Sequence, residues 1–234
     1  MSYYREFENV PAEGVLRWAL SRFAGTFAIA TSFQKEGMVI IDLAARIDPR
    51  VRVFTLDTGR LPDETHFMMD AVTKRYGIAI EMVRPDAAEV DQMVAQRGLN
   101  LFYDSPENRH LCCEIRKVRP LERKLAELQA WAVGLRRDQS PERADIRKVD
   151  EIDGRVKISP LADWIPEQID RYLAENSVPV HPLYSRGYTS IGCDPCTRAV
   201  RPEEDERAGR WWWEQDQKKE CGIHVTAEGL VRRA

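Results

Sequence analysis

Apolar residues recur three and four apart from Pro11 to Phe23, in PAEGVLRWALSRF, a spacing that predicts a helix with one buried face. TFAIATSF follows as a short β-prone apolar run and predicts a buried strand. The alternation continues: EGMVIIDLAARI predicts a helix, RVRVFTLDT a strand, and LPDETHFMMDAVTKRYG a helix opened near Pro62 and stopped at Gly77. IAIEMVRP predicts a third strand and DAAEVDQMVAQRG a helix capped by Asp86. PLERKLAELQ is helical and AWAVGLRR predicts a fourth strand. Strands alternating with helices imply βαβ units, hence an α/β fold with a parallel, doubly wound sheet. In such sheets ligands bind beyond the carboxyl ends of the strands. In VDEIDGRVKISPL, Asp153-Gly154 between two β-prone runs predicts a hairpin. From about residue 185 the periodicity fades and Gly, Pro, Arg and Cys accumulate. The expected division is therefore an α/β domain over 1–185 and an irregular C-terminal segment over 186–234. No internal repeat or low-complexity stretch interrupts the pattern.

Composition changes this picture little. Of 234 residues, 43% are hydrophobic and 31% charged, as in an ordinary globular chain. A net charge of −3 with scattered basic residues does not indicate nucleic acid, though a local basic site for a small anion is compatible with it. No apolar stretch approaches the roughly 18 residues of a membrane span. MSYYREFENVPAEG lacks the pattern of a secretory signal, so a cytoplasmic protein is expected, whose cysteines stay reduced and serve as ligands or nucleophiles.

Three predicted strand ends carry candidate chemistry. ATSFQKEGM sets Thr31, Ser32 and Gln34 in a turn before a helix, where backbone N–H groups and hydroxyls suit an anion such as phosphate. LDTGRLPDET closes a strand with Asp57, Thr58 and Gly59, and the glycine lets a ligand approach the backbone. GLRRDQS sets Gly134, Arg136 and Arg137 at another strand end, and paired arginines suit bidentate anion binding. Each also has an ordinary account as a capped turn or a solvated charged loop.

The five cysteines are more informative. Cys112 and Cys113 are adjacent, which makes a disulfide between them strained. Cys193 and Cys196 have the C-x2-C spacing that turns two thiolates onto one metal or cluster. Together they make a four-thiolate set suited to zinc or to an iron–sulfur cluster, with a redox dithiol at Cys193 and Cys196 as a third option. Cys221, in KKECGIH, has Lys218, Lys219 and His224 close by, and positive charge favours the nucleophilic thiolate. Upstream, GRWWWE puts three tryptophans together, a composition foreign to a disordered tail.

In order, LDTGRLPDET, CCEIRKVRPL, GLRRDQS, HPLYSRGYTSIGCDPC and GRWWWE…KKECGIH resemble the assimilatory adenylyl-sulfate reductases of the sulfonucleotide reductase family, across nearly the whole chain. The resemblance implies an adenine-nucleotide α-hydrolase-like, Rossmann-like fold. It implies an enzyme that reduces adenosine 5′-phosphosulfate (APS) to sulfite and AMP with electrons from thioredoxin or a glutaredoxin-like reductant. It implies that Cys112, Cys113, Cys193 and Cys196 hold a 4Fe-4S cluster and that Cys221 is the nucleophile. Lys117 matches a lysine lying between cluster and substrate; Arg207, Arg210 and His224 match basic groups around the phosphosulfate. Thr31, Ser32, Gln34, Asp57, Thr58, Gly59, Gly134, Arg136 and Arg137 fall in segments resembling the nucleotide site. Relatives assemble as dimers or tetramers, so a homo-oligomer is implied. One departure stands out: SFQKEG replaces a turn that often reads Ser-Phe-Gly-Ala-Glu. Relatives restricted to the 3′-phosphorylated nucleotide, PAPS, usually lack both cysteine pairs, so the four extra cysteines favour APS over PAPS, with dual use as the near alternative. A zinc-stabilised nucleotide-binding sulfur-transfer protein is the more distant one; its Ser-Gly-Gly-x-Asp-Ser loop is absent.

Overall fold

The computed structural model describes residues 4–140, 143–214, 225–226 and 229–230. In chain order the helices are α1 (Ala12–Arg22), α2 (Lys35–Ile47), α3 (Asp63–Tyr76), α4 (Ala87–Arg97), α5 (Pro106–Cys113), α6 (Arg119–Leu125) and α7 (Pro166–Glu175). The strands are β1 (Phe27–Ala30), β2 (Val53–Leu56), β3 (Ile80–Val83), β4 (Ala130–Ala132), β5 (Val149–Ile152), β6 (Arg155–Ile158), β7 (Val225–Thr226) and β8 (Gly229–Leu230). Contacts divide the chain into two compact units. One comprises Met1–Thr55, Glu64–Glu81 and Glu127–His181, the other Leu56–Asp63, Met82–Ala126 and Pro182–Ala234.

The first unit carries the sheet, in the order β3-β2-β1-β4-β6-β5. β1 runs parallel to both neighbours, with Ile29 opposite Val53 on one side and Ala132 on the other, and β4 runs parallel to β6. β5 and β6 form the expected antiparallel hairpin, turned by Asp153 and Gly154 at φ 51° and 73°, the left-handed pair that a two-residue hairpin turn needs. The chain leaves β1 toward β2 and β3 and returns on the other side at β4. The topological switch point therefore lies between the carboxyl ends of β1 and β4.

α2 is buried on nearly every side, from Gly37 to Ala44, because it packs against α1, α7 and β1. Each of its large apolar side chains contributes roughly 1.5–3 kcal/mol on burial. One charge sits among them. Asp42 is 1% exposed and accepts hydrogen bonds from the hydroxyls of Tyr76 (2.9 Å) and Tyr172 (2.7 Å), with Arg46 Nε at 2.9 Å. Four oxygen lone-pair sites with three donors make that burial tolerable. In return, burial and then Asp42 push both tyrosines up from the usual phenol range.

The second unit is helical and irregular. α4 starts at Asp86, whose side chain accepts from Glu89 N at 3.0 Å, as its sequence predicts. α5 starts at Ser105, which accepts from Asn108 N at 3.2 Å, with Pro106 in the first turn. Between α5 and α6 the chain widens into a π-helical turn over Glu114–Val118. Pro120 gives the reason: it has no N–H for the Arg116 carbonyl four residues back, and its ring would clash there. Beyond residue 182 the described segments are short 3-10 turns at Pro182–Arg186 and Asp194–Cys196, joined by loops, and an antiparallel pair of two-residue strands, Val225–Thr226 with Gly229–Leu230. No described helix is long and apolar enough to cross a membrane.

Candidate functional site

In the first unit, the loops after β1 and β4 meet at the switch point. Thr31 Oγ1 accepts from Phe33 N at 2.9 Å, Phe33 takes φ 56°, and Gln34 Nε2 donates to Ser32 Oγ at 2.9 Å. A Cβ on Gly37 would stand 2.4 Å from Thr31 Oγ1. A Cβ on Gly134 would stand 2.8 Å from Glu36 Cβ and 3.1 Å from Gly37 N, so only glycine lets the β4 loop lie against the start of α2. α2 begins without a side-chain cap, which leaves a helix N-terminus at the switch point. Arg136 is 2% exposed and donates to Glu36 Oε1 (2.9 Å) and to Asp138 (2.6 and 2.7 Å). Arg137 pairs with Glu8 and donates to Ile146 O at 2.8 Å. Both arginines are thus held by this unit's own carboxylates, and Glu36 is the shared acceptor that also takes Gln139 Nε2.

In the second unit, the two cysteine pairs come together. Cys112, Cys113, Cys193 and Cys196 line one cavity, and their thiols are free. Cys112 and Cys113 end α5, while Cys193 and Cys196 flank the 3-10 turn that Pro195 helps set. Arg60, Arg109, Arg116, Lys117, Phe102 and Trp211 complete the wall. Arg116 (7% exposed) donates to Thr58 O at 2.7 Å. Arg210 (6% exposed) lies 4.6 Å from the Trp211 ring centroid. Among the described residues neither arginine pairs with a carboxylate, so cations exceed anions here, an imbalance suited to an anionic occupant. Among the described residues, Trp211 Nε1 is buried without a hydrogen-bond partner and offers a donor.

The thiols differ. Burial pushes Cys196 up to about 12, and the neighbouring Cys193 charge adds to it. Burial also raises Cys112, against Arg116. Burial works against the Cys193 thiolate too, but Lys117, the Thr58 hydroxyl at 3.3 Å and Arg210 outweigh it and leave that thiol below the usual range. Thr58 belongs to the LDTG loop, where Asp57 accepts from Gly59 N (3.0 Å) and Arg84 Nε (3.0 Å), and Gly59 takes φ 69°. That loop, assigned from sequence to the nucleotide, thus contacts a cysteine through its threonine. Among the described residues, no three His, Cys, Asp or Glu side chains are placed to grip one metal ion.

Arg207 is half-buried in the turn before Arg210, whose N donates to Arg207 O at 3.0 Å. Cys221 and His224 lie outside the described residues. Arg60, Arg109 and Arg116 were not singled out from the sequence as site residues, and Trp211 was noted only as part of its tryptophan run. Arg60 and Arg116 sit inside LDTGRLPDET and CCEIRK, but arginine near cysteine has no periodic signature.

Residues 26–199 match the phosphoadenosine phosphosulfate reductase domain family. The chain is 50% identical over 199 residues to the adenosine 5′-phosphosulfate reductase of Burkholderia cepacia, covering 84% of this chain and 80% of that one. It is 48% identical over 203 residues to the enzyme of that name from Rhizobium meliloti (strain 1021), covering 86% and 77%. Among solved structures it is similar to the phosphoadenylyl-sulfate (PAPS) reductase of Candida auris in its phosphate complex. The TM-score is 0.69 and the identity 26%, over 82% of this chain and 91% of that one.

Proposed function

The chain belongs to the phosphoadenosine phosphosulfate reductase family, and we propose that within it the protein reduces APS to sulfite and AMP in sulfate assimilation. The observation that carries the choice of APS is the meeting of Cys112, Cys113, Cys193 and Cys196 in one cation-rich cavity. A chain that kept only Cys221 would have no use for it.

The residues present fit a 4Fe-4S cluster. The donor set is four thiols, ringed by Lys117, Arg116 and Arg109, with the orphaned indole N–H of Trp211 available to a sulfur. Consecutive helical residues point about 100° apart, so Cys112 and Cys113 are poorly set to share one zinc ion, which favours a multi-iron group as the one they would hold. When bound, the cluster supplies fixed charge that orients the cations beside it. Cys112, Cys113, Cys193 and Cys196 would be its ligands.

The chemistry is assigned to the chain's own groups. The β1 and β4 ends, with Thr31, Ser32, Gln34 and Gly134, take the nucleotide. Lys117, Arg207, Arg210 and His224 offset the charge of the phosphosulfate, which would otherwise repel a thiolate. The Cys221 thiolate attacks the sulfate sulfur, the S–O bond breaks, and AMP leaves with the electron pair. An S-sulfocysteine remains. A thiolate of thioredoxin, or of a glutaredoxin-like reductant, attacks Cys221 Sγ and sulfite leaves with the pair of the S–S bond. The reductant's second thiol then frees Cys221, leaving the reductant as a disulfide. A reducing cytoplasm suits this cycle.

The test is turnover of APS against PAPS by the purified, iron-loaded protein, with iron and zinc content. APS-dependent AMP release, abolished in Cys221→Ser with iron content unchanged, is the expected result. Preference for PAPS, or AMP release by Cys221→Ser, refutes the assignment.

A further inference from the structure

Among the described residues, the second unit contains a buried ion pair that nothing above uses. Arg109 Nε donates to Glu214 Oε1 at 2.6 Å, and the two side chains are only 3% and 5% exposed. Arg109 sits on α5, one helical turn before Cys113 and on the same face. Glu214 ends the tryptophan turn, seven residues before Cys221. The pair therefore joins the helix that carries two cavity cysteines to the point from which the chain runs on to the nucleophile.

The turn it closes is strained. Trp211 takes φ 43°, a left-handed conformation in which a bulky side chain is a rare outlier held only by its surroundings. Its ring is 1% exposed, with the guanidinium carbons of Arg109 and Arg210 each 4.6 Å from its centroid. Its N–H reaches Cys196 O at 3.3 Å, and its own carbonyl accepts from Glu214 N at 2.9 Å. Arg109 thus grips the turn twice, at the ring and at the carboxylate. A buried pair is a poor source of net stability, but its geometry is hard to replace.

We propose that Arg109 and Glu214 are a positioning pair that fixes the chain at Glu214, seven residues before Cys221, and hence sets how Cys221 is aimed at the substrate sulfur. This rests on the assignment of Cys221 as nucleophile. A misplacement of about 1 Å is enough to cost on the order of a hundredfold in rate without touching ground-state binding. The carboxylate is the cleaner member to change, because Arg109 also contacts His110 and the cavity.

The experiment compares wild type, Glu214→Gln and Glu214→Asp as iron-loaded full-length protein. It measures kcat and KM for APS-dependent AMP release, the visible absorbance of the cluster, and the near-ultraviolet circular dichroism of the tryptophans. Glu214→Gln should lose about ten- to a hundredfold in kcat with KM changed less than about twofold, its cluster absorbance kept and its tryptophan signal reduced. Glu214→Asp, which keeps the charge, should recover most of both. An unchanged kcat in Glu214→Gln overturns the proposal, as does a rise in KM at constant kcat. Equal loss of activity and cluster absorbance in both variants also overturns it, since that is a purely structural role. A wild type that releases no AMP from APS refutes the functional assignment instead, and is told apart by that control.

Discussion

Lowering the pH from 7 to 5 should cost the folded protein about 2 kcal/mol through one side chain, His181. His181 is 1% exposed, and its Nε2 lies 3.1 Å from Thr65 Oγ1. Burial lowers its pKa from 6.5 to about 4, against the opposing pull of Glu64. The folded state therefore refuses a proton that the unfolded chain accepts below pH 6.5. Stability is full above that value and is lost progressively as pH falls toward 4. A shift of this size is worth about 3 kcal/mol when complete, and by pH 5 about 2 kcal/mol of it has gone. For a chain of this length that lowers Tm by roughly 4–8 °C. The assay is thermal unfolding at steps between pH 7.5 and 5 for wild type and His181→Gln. Carboxylates titrate in both proteins, so the difference between the two curves isolates the imidazole. The variant should start less stable and show a flatter pH dependence. Parallel curves would refute the argument, because they would mean that His181 is protonated in the folded protein as readily as in the unfolded one.

Other contacts in the fold give further expected outcomes. Asp42→Ala leaves two half-buried tyrosine hydroxyls without their acceptor while Arg46 keeps Asn176 and solvent, and should cost about 1–3 kcal/mol in urea unfolding. Gly134→Ala drives a Cβ into Glu36 and the Gly37 backbone, and should raise KM for the nucleotide and cost about 1–3 kcal/mol while leaving the absorbance of the proposed cluster unchanged. Lys117→Ala should slow AMP release by about a hundredfold or more with iron content retained, as expected for removal of one charge that stabilises the transition state; an unchanged rate would remove Lys117 from the chemistry.

Most of the sheet was legible because its residues obey one-dimensional rules. β1, β2 and β4 are apolar runs, α2 is apolar on nearly every face, and Asp153-Gly154 has few other uses than a tight hairpin. Two helices were not legible. α5 turns Arg109 and Cys113 inward, since what it faces is a cation- and thiol-lined cavity, and a hydropathy pattern does not register an inward face of that kind. α7 buries only Ile169 and Leu173, too narrow a stripe to stand out, although Pro166 marks its start. The AWAVGLRR run proved to be a strand only over Ala130–Ala132, because the close approach of Gly134 to α2 bends the chain away.

Residue type and spacing by themselves determined the α/β alternation, the pairing of cysteines into two clusters of two, and the presence of a basic cysteine segment near the end. Those properties depend on neighbours along the chain. Tertiary structure alone decided that the two pairs, 79 residues apart between Cys113 and Cys193, share a cavity, and that Arg109, Arg116 and Trp211 form its wall. It also decided that Thr58 bonds a sulfur and that Arg136 is committed to Glu36 and Asp138. Charge and hydrogen-bond partners come from across space, where burial amplifies each contact, and a sequence records the groups without recording which of them meet.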